Sequence, residues 1–222
     1  MSDALPAFVL SAEEAERSSM DVAPKNPEAE KSADGGSDEQ LMVAFSRGST
    51  EAFTELFSRY KQPLFGFFRR RVADPAHAEE LTQETFLAVL RATPRYEPRA
   101  LFRTFLYAIG FNILRAYRRK AALRATFLGR SPASHEPKAP SATDAGLILR
   151  QAIGKLNSTD REVLLLREFE QLNYANIAEL LGLPLNTVRS RLFRARMALR
   201  DLLAAHVAEP STAKHKEAEG HP

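Results

Sequence analysis

The sequence predicts an all-α protein of two small helical domains joined by a flexible linker, with disordered tails at both ends. Apolar residues recur at helical spacing in two blocks of the chain, and neither block alternates like a strand. Between the blocks, a stretch of serine, alanine and charged residues contains three prolines, a composition typical of a linker. The predicted divisions are a tail (1–37), a proximal domain (38–130), the linker (131–146), a distal domain (147–206) and a second tail (207–222).

Charge is distributed unevenly along the 222 residues, although the net charge is only +3. Residues 1–37 carry eight acidic and three basic side chains, whereas residues 38–131 carry nine acidic and sixteen basic ones. Residues 146–206 carry six acidic and nine basic ones. The two basic blocks therefore suggest a polyanionic partner such as nucleic acid. The acidic tail is either a solubilising segment or one that masks the basic domains or binds a regulator.

Composition argues against several classes of function. The chain contains no cysteine, so disulfides, a thiol nucleophile and thiolate metal ligands are excluded, as suits a reducing cytoplasm. No apolar run approaches the roughly 20 residues that cross a bilayer, so no membrane insertion is expected. The five histidines lack metal-ligand spacing, and no Gly-rich phosphate loop or nucleophile motif is present. We therefore expect a cytoplasmic protein with no catalytic residues, metal or cofactor.

Helical spacing divides the proximal block into several predicted helices. Phe53, Leu56 and Tyr60 fall on one helical face, and Pro63 is expected to open the next helix. Asp74-Pro75 should end that second helix and lead into a third, which runs to about Arg91. A last helix is predicted from about Leu101 to Ala121. Its expected inward residues are Phe102, Leu106, Ile109 and Ile113.

The distal block begins with an apolar stripe near Gly146. Thr159 and Glu162 have the spacing of a capping box, which predicts the start of a new helix there. Two more helices are predicted at about Tyr174–Leu181 and Asn186–Ala205.

The segment from Tyr174 to Arg196 has the pattern of a helix-turn-helix. Gly182 lies where the turn needs a positive φ, which glycine adopts most easily. Ile177 and Leu181 in the first helix and Val188, Leu192 and Ala195 in the second are expected to form the small core.

The opposite face of the second helix is rich in arginine. Because arginine can bond guanine edges in pairs or clamp phosphates, this face suits the major groove of DNA. A solvated basic face is the alternative that composition alone leaves open. The candidate duplex-binding residues are Thr187, Arg189, Ser190, Phe193, Arg194 and Arg196.

Four runs of sequence resemble the sigma-70 family of RNA polymerase sigma factors, in particular its extracytoplasmic-function (ECF) group. Two lie in the proximal block, at residues 78–87 and 102–112, the second followed by Arg118-Arg119. Two lie in the distal block, at residues 161–166 and 187–196. The resemblance covers about 150 residues and implies a region 2-like bundle followed by a region 4-like helix-turn-helix.

The resemblance implies that the run at 78–87 docks on a basic coiled coil of the largest polymerase subunits. Glu80, Gln83 and Glu84 are spaced i, i+3 and i+4, so on a helix they form one compact acidic and amide patch. Without the resemblance, a solvated acidic face would be the default interpretation.

The resemblance further implies that the run at 102–112 helps to melt the promoter and read the minus-ten element. Holding a melted strand needs stacking surfaces and cations along the backbone. The sequence departs from the family by having Phe105 in place of the usual tryptophan, and Phe105 and Tyr107 also fit a core role. The candidate residues are Tyr96, Tyr107, Asn112, Arg115, Arg118 and Arg119. The Arg-rich face of the distal block matches the positions that read the minus-thirty-five element as duplex.

The expected partners are core RNA polymerase and promoter DNA, both as duplex and as melted strand. A regulatory anti-sigma factor that wedges between the two domains is also expected, and the linker would allow it. The alternative is a free-standing helix-turn-helix regulator that does not join the polymerase, but it would leave the features of the proximal block unexplained.

Overall fold

The computed structural model describes residues 36–96, 101–127 and 144–208, and in these ranges the secondary structure is entirely helical. The chain divides into two compact units. The first contains α1 (Asp38–Ser46), α2 (Thr50–Arg69), α3 (Pro75–Ala92), a 3-10 turn (Thr93–Arg95) and α4 (Phe102–Phe127). The second contains α5 (Asp144–Lys155), α6 (Ser158–Glu168), most of α7 (Tyr174–Leu181) and α8 (Leu185–Ala208). The predicted all-α fold class is confirmed.

The predicted tails and linker fall mostly outside the described residues. Helix α5 starts at Asp144, so the last three residues of the predicted linker are helical instead. Helix α8 likewise continues to Ala208, two residues into the predicted second tail.

Helix α2 runs through Pro63, so the prediction that a new helix begins there was wrong. A proline inside a helix loses one backbone hydrogen bond and costs about 3 kcal/mol. The buried stripe of Leu56, Tyr60, Leu64 and Phe67 continues on both sides of the proline. Each such side chain contributes roughly 1.5–3 kcal/mol when buried. The combined burial of these side chains therefore stabilises the continuous helix by more than the proline costs. Pro63 itself is exposed and does not interrupt the packing.

Helix α3 begins where Asp74-Pro75 predicted. The carboxylate of Asp74 accepts a hydrogen bond from the amide of Ala76 at 2.9 Å, and Pro75 occupies the first turn, where its missing N–H costs nothing. At the other end, α3 is followed directly by the 3-10 turn that contains Thr93 and Pro94.

Helix α4 passes beside the buried face of α2 and ends six residues later than predicted, at Phe127. Phe102, Leu106 and Ile109 are buried as expected, whereas Ile113 is half-buried.

In the second unit, α6 starts two residues earlier than the predicted capping box requires. Its N-cap is Asn157, whose side-chain oxygen accepts a hydrogen bond from the amide of Thr159 at 3.1 Å. Thr159 is already helical and cannot serve as the cap, so that prediction was wrong. Because Asn and Asp cap helices at least as well as Thr, the earlier residue takes the role.

Candidate nucleic-acid and protein interfaces

Helices α7 and α8 form the helix-turn-helix that the sequence predicts. Gly182 joins them with a φ of 65°, the left-handed conformation that glycine favours. Ile177 of α7 and Val188, Leu192 and Ala195 of α8 are buried, as expected for its core, whereas Leu181 is only half-buried. This buried side fixes which face of α8 is turned to solvent.

The solvent face of α8 presents cations and one aromatic ring. Arg189, Ser190 and Arg194 are exposed, and the ring of Phe193 is 65% exposed. Thr187 is half-buried, and its carbonyl accepts a hydrogen bond from the Ser190 hydroxyl at 3.1 Å. The structure therefore brings these five predicted residues to the first three turns of one helix. Such a face offers donors for base edges and phosphates together with an apolar contact for a thymine methyl group.

Two acidic residues of α6 reach this arginine-rich helix. Glu168 accepts two hydrogen bonds from Arg196, at 3.0 Å from Nε and 2.6 Å from Nη2. Arg196 is thus paired with α6, although its spacing of i+7 from Arg189 and i+3 from Phe193 puts it on the same face of α8. Asp160 at the other end of α6 lies 2.8 Å from Arg191 Nη1 and 3.8 Å from Arg194 Nη2. Asp160 could not be assigned to this surface from sequence, since no spacing rule links residues 31 positions apart.

In the first unit, α3 presents Glu80, Gln83 and Glu84 on one exposed face. The Gln83 side chain donates a weak hydrogen bond to Glu79 at 3.4 Å, which keeps it along the helix. Leu87 is 50% exposed and follows at i+3 from Glu84, so the acidic face ends in an apolar residue. This pattern of charged groups beside a leucine suits a basic, partly apolar protein surface.

Helix α4 carries a second polar face. Asn112 is half-buried, and Arg115, Arg118 and Arg119 are exposed. Asn112, Arg115 and Arg119 are spaced i, i+3 and i+7, so they form one stripe, and Arg118 lies beside it. The structure therefore assembles four of the six residues that the sequence assigns to the melted strand.

Tyr107 does not belong to that stripe. Its side chain is only 2% exposed and its ring lies 5.4 Å from the ring of Phe67, centroid to centroid. Residues 107, 111 and 114 share the opposite face of α4, and all three are buried. The assignment of Tyr107 to the strand-binding surface is therefore corrected: it is a core residue, the alternative that the sequence had left open.

Tyr96 lies at the end of the 3-10 turn and is half-buried against Phe105, with ring centroids 5.4 Å apart. Its buried hydroxyl has no hydrogen-bond partner among the described residues. Burial and the nearby carboxylates of Glu39 and Asp38 raise the pKa of Tyr96 to about 12. Phe105, for which the sequence also allowed a core role, is half-buried and packs against Tyr96.

In the part of the chain that the structure describes, no three His, Cys, Asp or Glu side chains come together in a way that would hold a metal ion. None of the helices in those ranges is both long and apolar enough to cross a lipid bilayer.

Comparison with known proteins decides the family. The family model for sigma-70 region 2 matches residues 56–124, and that for sigma-70 region 4 matches residues 146–199. The RNA polymerase sigma factor CarQ of Myxococcus xanthus is 34% identical over 165 residues, which cover 73% of this chain and 95% of CarQ. The chain belongs to the sigma-70 family.

Further relatives place this sigma factor in the ECF group. The RNA polymerase sigma-H factor of Pseudomonas aeruginosa is 32% identical over 176 residues, covering 73% of this chain and 91% of that protein. The ECF RNA polymerase sigma factor SigC of Mycobacterium tuberculosis is 31% identical over 163 residues, covering 72% of this chain and 87% of SigC. The region 2 match falls on the proximal block. A free-standing helix-turn-helix regulator would not account for this match.

A solved structure of CnrH in complex with the cytosolic domain of CnrY is similar in fold. It has a TM-score of 0.56 and 27% identity, and the match covers 76% of this chain and 97% of CnrH. Taken together, these findings identify a sigma factor that binds core RNA polymerase and directs promoter-specific initiation. It is a transcription initiation factor and not an enzyme.

Proposed function

We propose that the two units divide the work of initiation between them. Residues 38–130 would form the proximal domain that docks on core polymerase and captures the minus-ten element. Residues 147–206 would form the distal domain that binds the minus-thirty-five element as duplex. The linker (131–146) would join them, and the acidic tail (1–37) and the second tail (207–222) would flank them.

The observation that carries this proposal is the orientation of α8. A buried core of Val188, Leu192 and Ala195 turns Arg189 and Arg194 to solvent, within the segment that matches sigma-70 region 4. Helices of a helix-turn-helix read the major groove through such a face near their N-terminal end. Thr187, Ser190 and Phe193 complete the proposed surface, and Arg196 would contribute only after leaving Glu168.

The docking surface is proposed to be the exposed face of α3. Glu80, Gln83 and Glu84 offer two charges and an amide to a basic partner, and Leu87 offers an apolar contact. Charged residues at an interface speed association and select the partner, while a buried apolar residue supplies much of the affinity. The partner is core RNA polymerase.

The melted strand is proposed to lie along α4. Asn112 can bond a base edge, and Arg115, Arg118 and Arg119 can hold phosphates of a single strand. Tyr96 and its neighbour Phe105 supply aromatic rings beside the beginning of the same helix. Tyr107 is left out because its ring is enclosed by the core.

We also propose regulation by an anti-sigma factor and a cytoplasmic location. The similar structure of CnrH contains the cytosolic domain of CnrY. Another similar structure, at 22% identity and a TM-score of 0.58, holds the sigma factor RpoE of Bartonella quintana with the anti-sigma factor NepR. Because polymerase and promoter DNA are the partners, the chain would act where both are found.

Reconstitution with core polymerase tests the proposal. The purified chain and core polymerase should co-elute in gel filtration, and the complex should produce new promoter-specific transcripts in run-off assays on genomic fragments. Binding to DNA without any binding to core polymerase would contradict the proposed docking by α3. Co-elution without promoter-specific transcripts would contradict the proposed roles of α4 and α8.

A further inference from the structure

Asp160 lies in the first turn of α6 and faces the DNA-reading helix α8. Its side chain is 15% exposed, so its carboxylate is largely removed from water. One carboxylate oxygen, Oδ1, lies 2.8 Å from Arg191 Nη1 and 3.8 Å from Arg194 Nη2. One acidic group is therefore shared by two arginines three residues apart on the same helix.

The two arginines stand in different surroundings. The side chain of Arg191 is 27% exposed and donates a direct hydrogen bond, so it fixes the position of the carboxylate. The side chain of Arg194 is 59% exposed, and its contact at 3.8 Å is too long for a hydrogen bond. Arg194 therefore interacts electrostatically with Asp160, while its N–H donors stay available to a ligand.

This arrangement affects phosphates and base edges differently. A guanidinium group binds either a phosphate or the acceptor atoms of guanine. A carboxylate beside it repels a phosphate, which is charged, more strongly than it repels a neutral base edge. Specificity is a difference between two affinities, and a repulsive group can create it by weakening the wrong complex.

We propose that Asp160 is a specificity-determining positioning residue for duplex recognition by α8. It orients Arg194 and weakens the attraction of Arg194 to phosphates, so that contact with the correct base is favoured over contact with any backbone. This inference rests on the proposed function of α8 as the helix that reads the upstream element.

The experiment uses the full chain bound to core polymerase. Two duplexes are compared: a promoter fragment identified by run-off transcription, and the same fragment with its upstream element scrambled. Affinities are measured across a series of salt concentrations. Asp160→Asn should strengthen binding to the scrambled duplex about tenfold at low salt and lower the ratio of the two affinities. It should also steepen the slope of log affinity against log salt by about one.

A matched control lies on α8 itself. Asp201 pairs with Arg200 at 2.8 Å, and both side chains are exposed, about two-thirds of each remaining accessible. Asp201→Asn removes the same charge from the same unit, and the affinity ratio should stay within about twofold of the original value. Asp160→Ser provides a second neutral variant in case Asp160→Asn does not fold, because Ser is well tolerated at helix starts.

A double-mutant cycle separates positioning from a general effect of charge or stability. If Asp160 acts through Arg194, Asp160→Asn should leave the affinity ratio unchanged in an Arg194→Ala background. A change of equal size in both backgrounds would overturn the inference, as would neutral variants with unaltered salt slopes. If the unmodified complex does not distinguish the two duplexes, the proposed function of α8 fails, and the inference fails with it.

Discussion

The carboxylate of Glu39 in α1 accepts a hydrogen bond from the backbone amide of Phe102, at 2.9 Å and across 63 positions of sequence. Phe102 is the first residue of α4 and is fully buried. The first turn of a helix has amides without partners inside the helix, and here a side chain of another helix satisfies one of them. The beginning of the proposed strand-binding helix therefore depends on α1.

Replacing Glu39 by alanine should loosen the start of α4. Loss of a capping acceptor costs about 1 kcal/mol, and hydrogen exchange at the Phe102 amide should become faster. Glu39→Gln keeps an acceptor oxygen and should have a smaller effect on both measurements. Unchanged exchange at Phe102 in the alanine variant would show that the hydrogen bond does not hold the helix start.

Two glycines should respond to alanine in opposite directions. Gly110 lies inside α4, and an added Cβ would contact Leu64 Cδ1 at 3.4 Å and Phe68 Cζ at 3.5 Å, which is ordinary packing. Gly110→Ala should therefore raise the free energy of unfolding by about 0.5–1 kcal/mol. Gly182 has space around it but a φ of 65°, so Gly182→Ala should lower that energy by about 1 kcal/mol. Urea denaturation followed by circular dichroism measures both changes, and equal signs would contradict the assignment.

The raised pKa of Tyr96 predicts a loss of stability at alkaline pH. Its pKa in the fold is about 12, compared with an ordinary value of 10. Between these values the unfolded chain releases the proton while the folded chain retains it. The stabilisation is therefore complete below about pH 10 and is lost as the pH rises towards 12. Tyr96→Phe should change stability little at pH 8 and should reduce this alkaline loss, as measured by urea denaturation at several pH values. Part of the loss should remain, because burial raises the pKa of Tyr60 as well.

Reversing the charge of Glu80 and Glu84 should weaken docking on core polymerase. The double change to lysine places two cations where a basic partner is expected, and the affinity should fall at least about tenfold at low salt. Glu51→Lys, on the exposed first turn of α2, makes the same kind of charge change away from α3. Binding measured by co-elution and by titration should distinguish the two variants, and equal losses would point to a general charge effect.

Replacing Arg189 and Arg194 by alanine should abolish recognition of the upstream element and leave polymerase binding intact. Each contact to a base edge is worth about 1–3 kcal/mol, so each single change should weaken duplex binding about fivefold or more. Arg200→Ala removes an exposed arginine of the same helix that pairs with Asp201, and serves as the control. Loss of polymerase binding together with duplex binding would contradict the separate roles of α3 and α8.

Much of the candidate site could be predicted from sequence because its parts are local. The exposed face of α8 follows from the helical period and from Gly182, whose positive φ the sequence indicated correctly. The acidic face of α3 needs only the spacing of Glu80, Gln83 and Glu84. Both surfaces lie within single helices, so the period of 3.6 residues is sufficient to place them.

The predictions for Tyr107 and Pro63 were wrong because burial, which the local sequence does not show, decides between a core and a surface position or between one helix and two. In α4 the aromatic and polar stripes are both compatible with a helix, and only packing against α2 shows that Tyr107 is enclosed while Asn112 reaches the surface. Pro63 looked like a helix start by local rules, yet the buried residues on both sides keep α2 continuous. In such cases tertiary packing energy exceeds the local preference of one residue.

The sequence by itself therefore determined the helical class, the helix-turn-helix and the family, because these depend on periodicity, on turn residues and on long matching runs. Only the tertiary structure decided which stripe of α4 is core, that Glu39 holds the start of that helix, and that Asp160 stands beside Arg194. The physical reason is that these relationships join residues far apart in the chain, and no spacing rule operates over such distances. They arise when apolar faces are buried together and bring polar groups of different helices into reach.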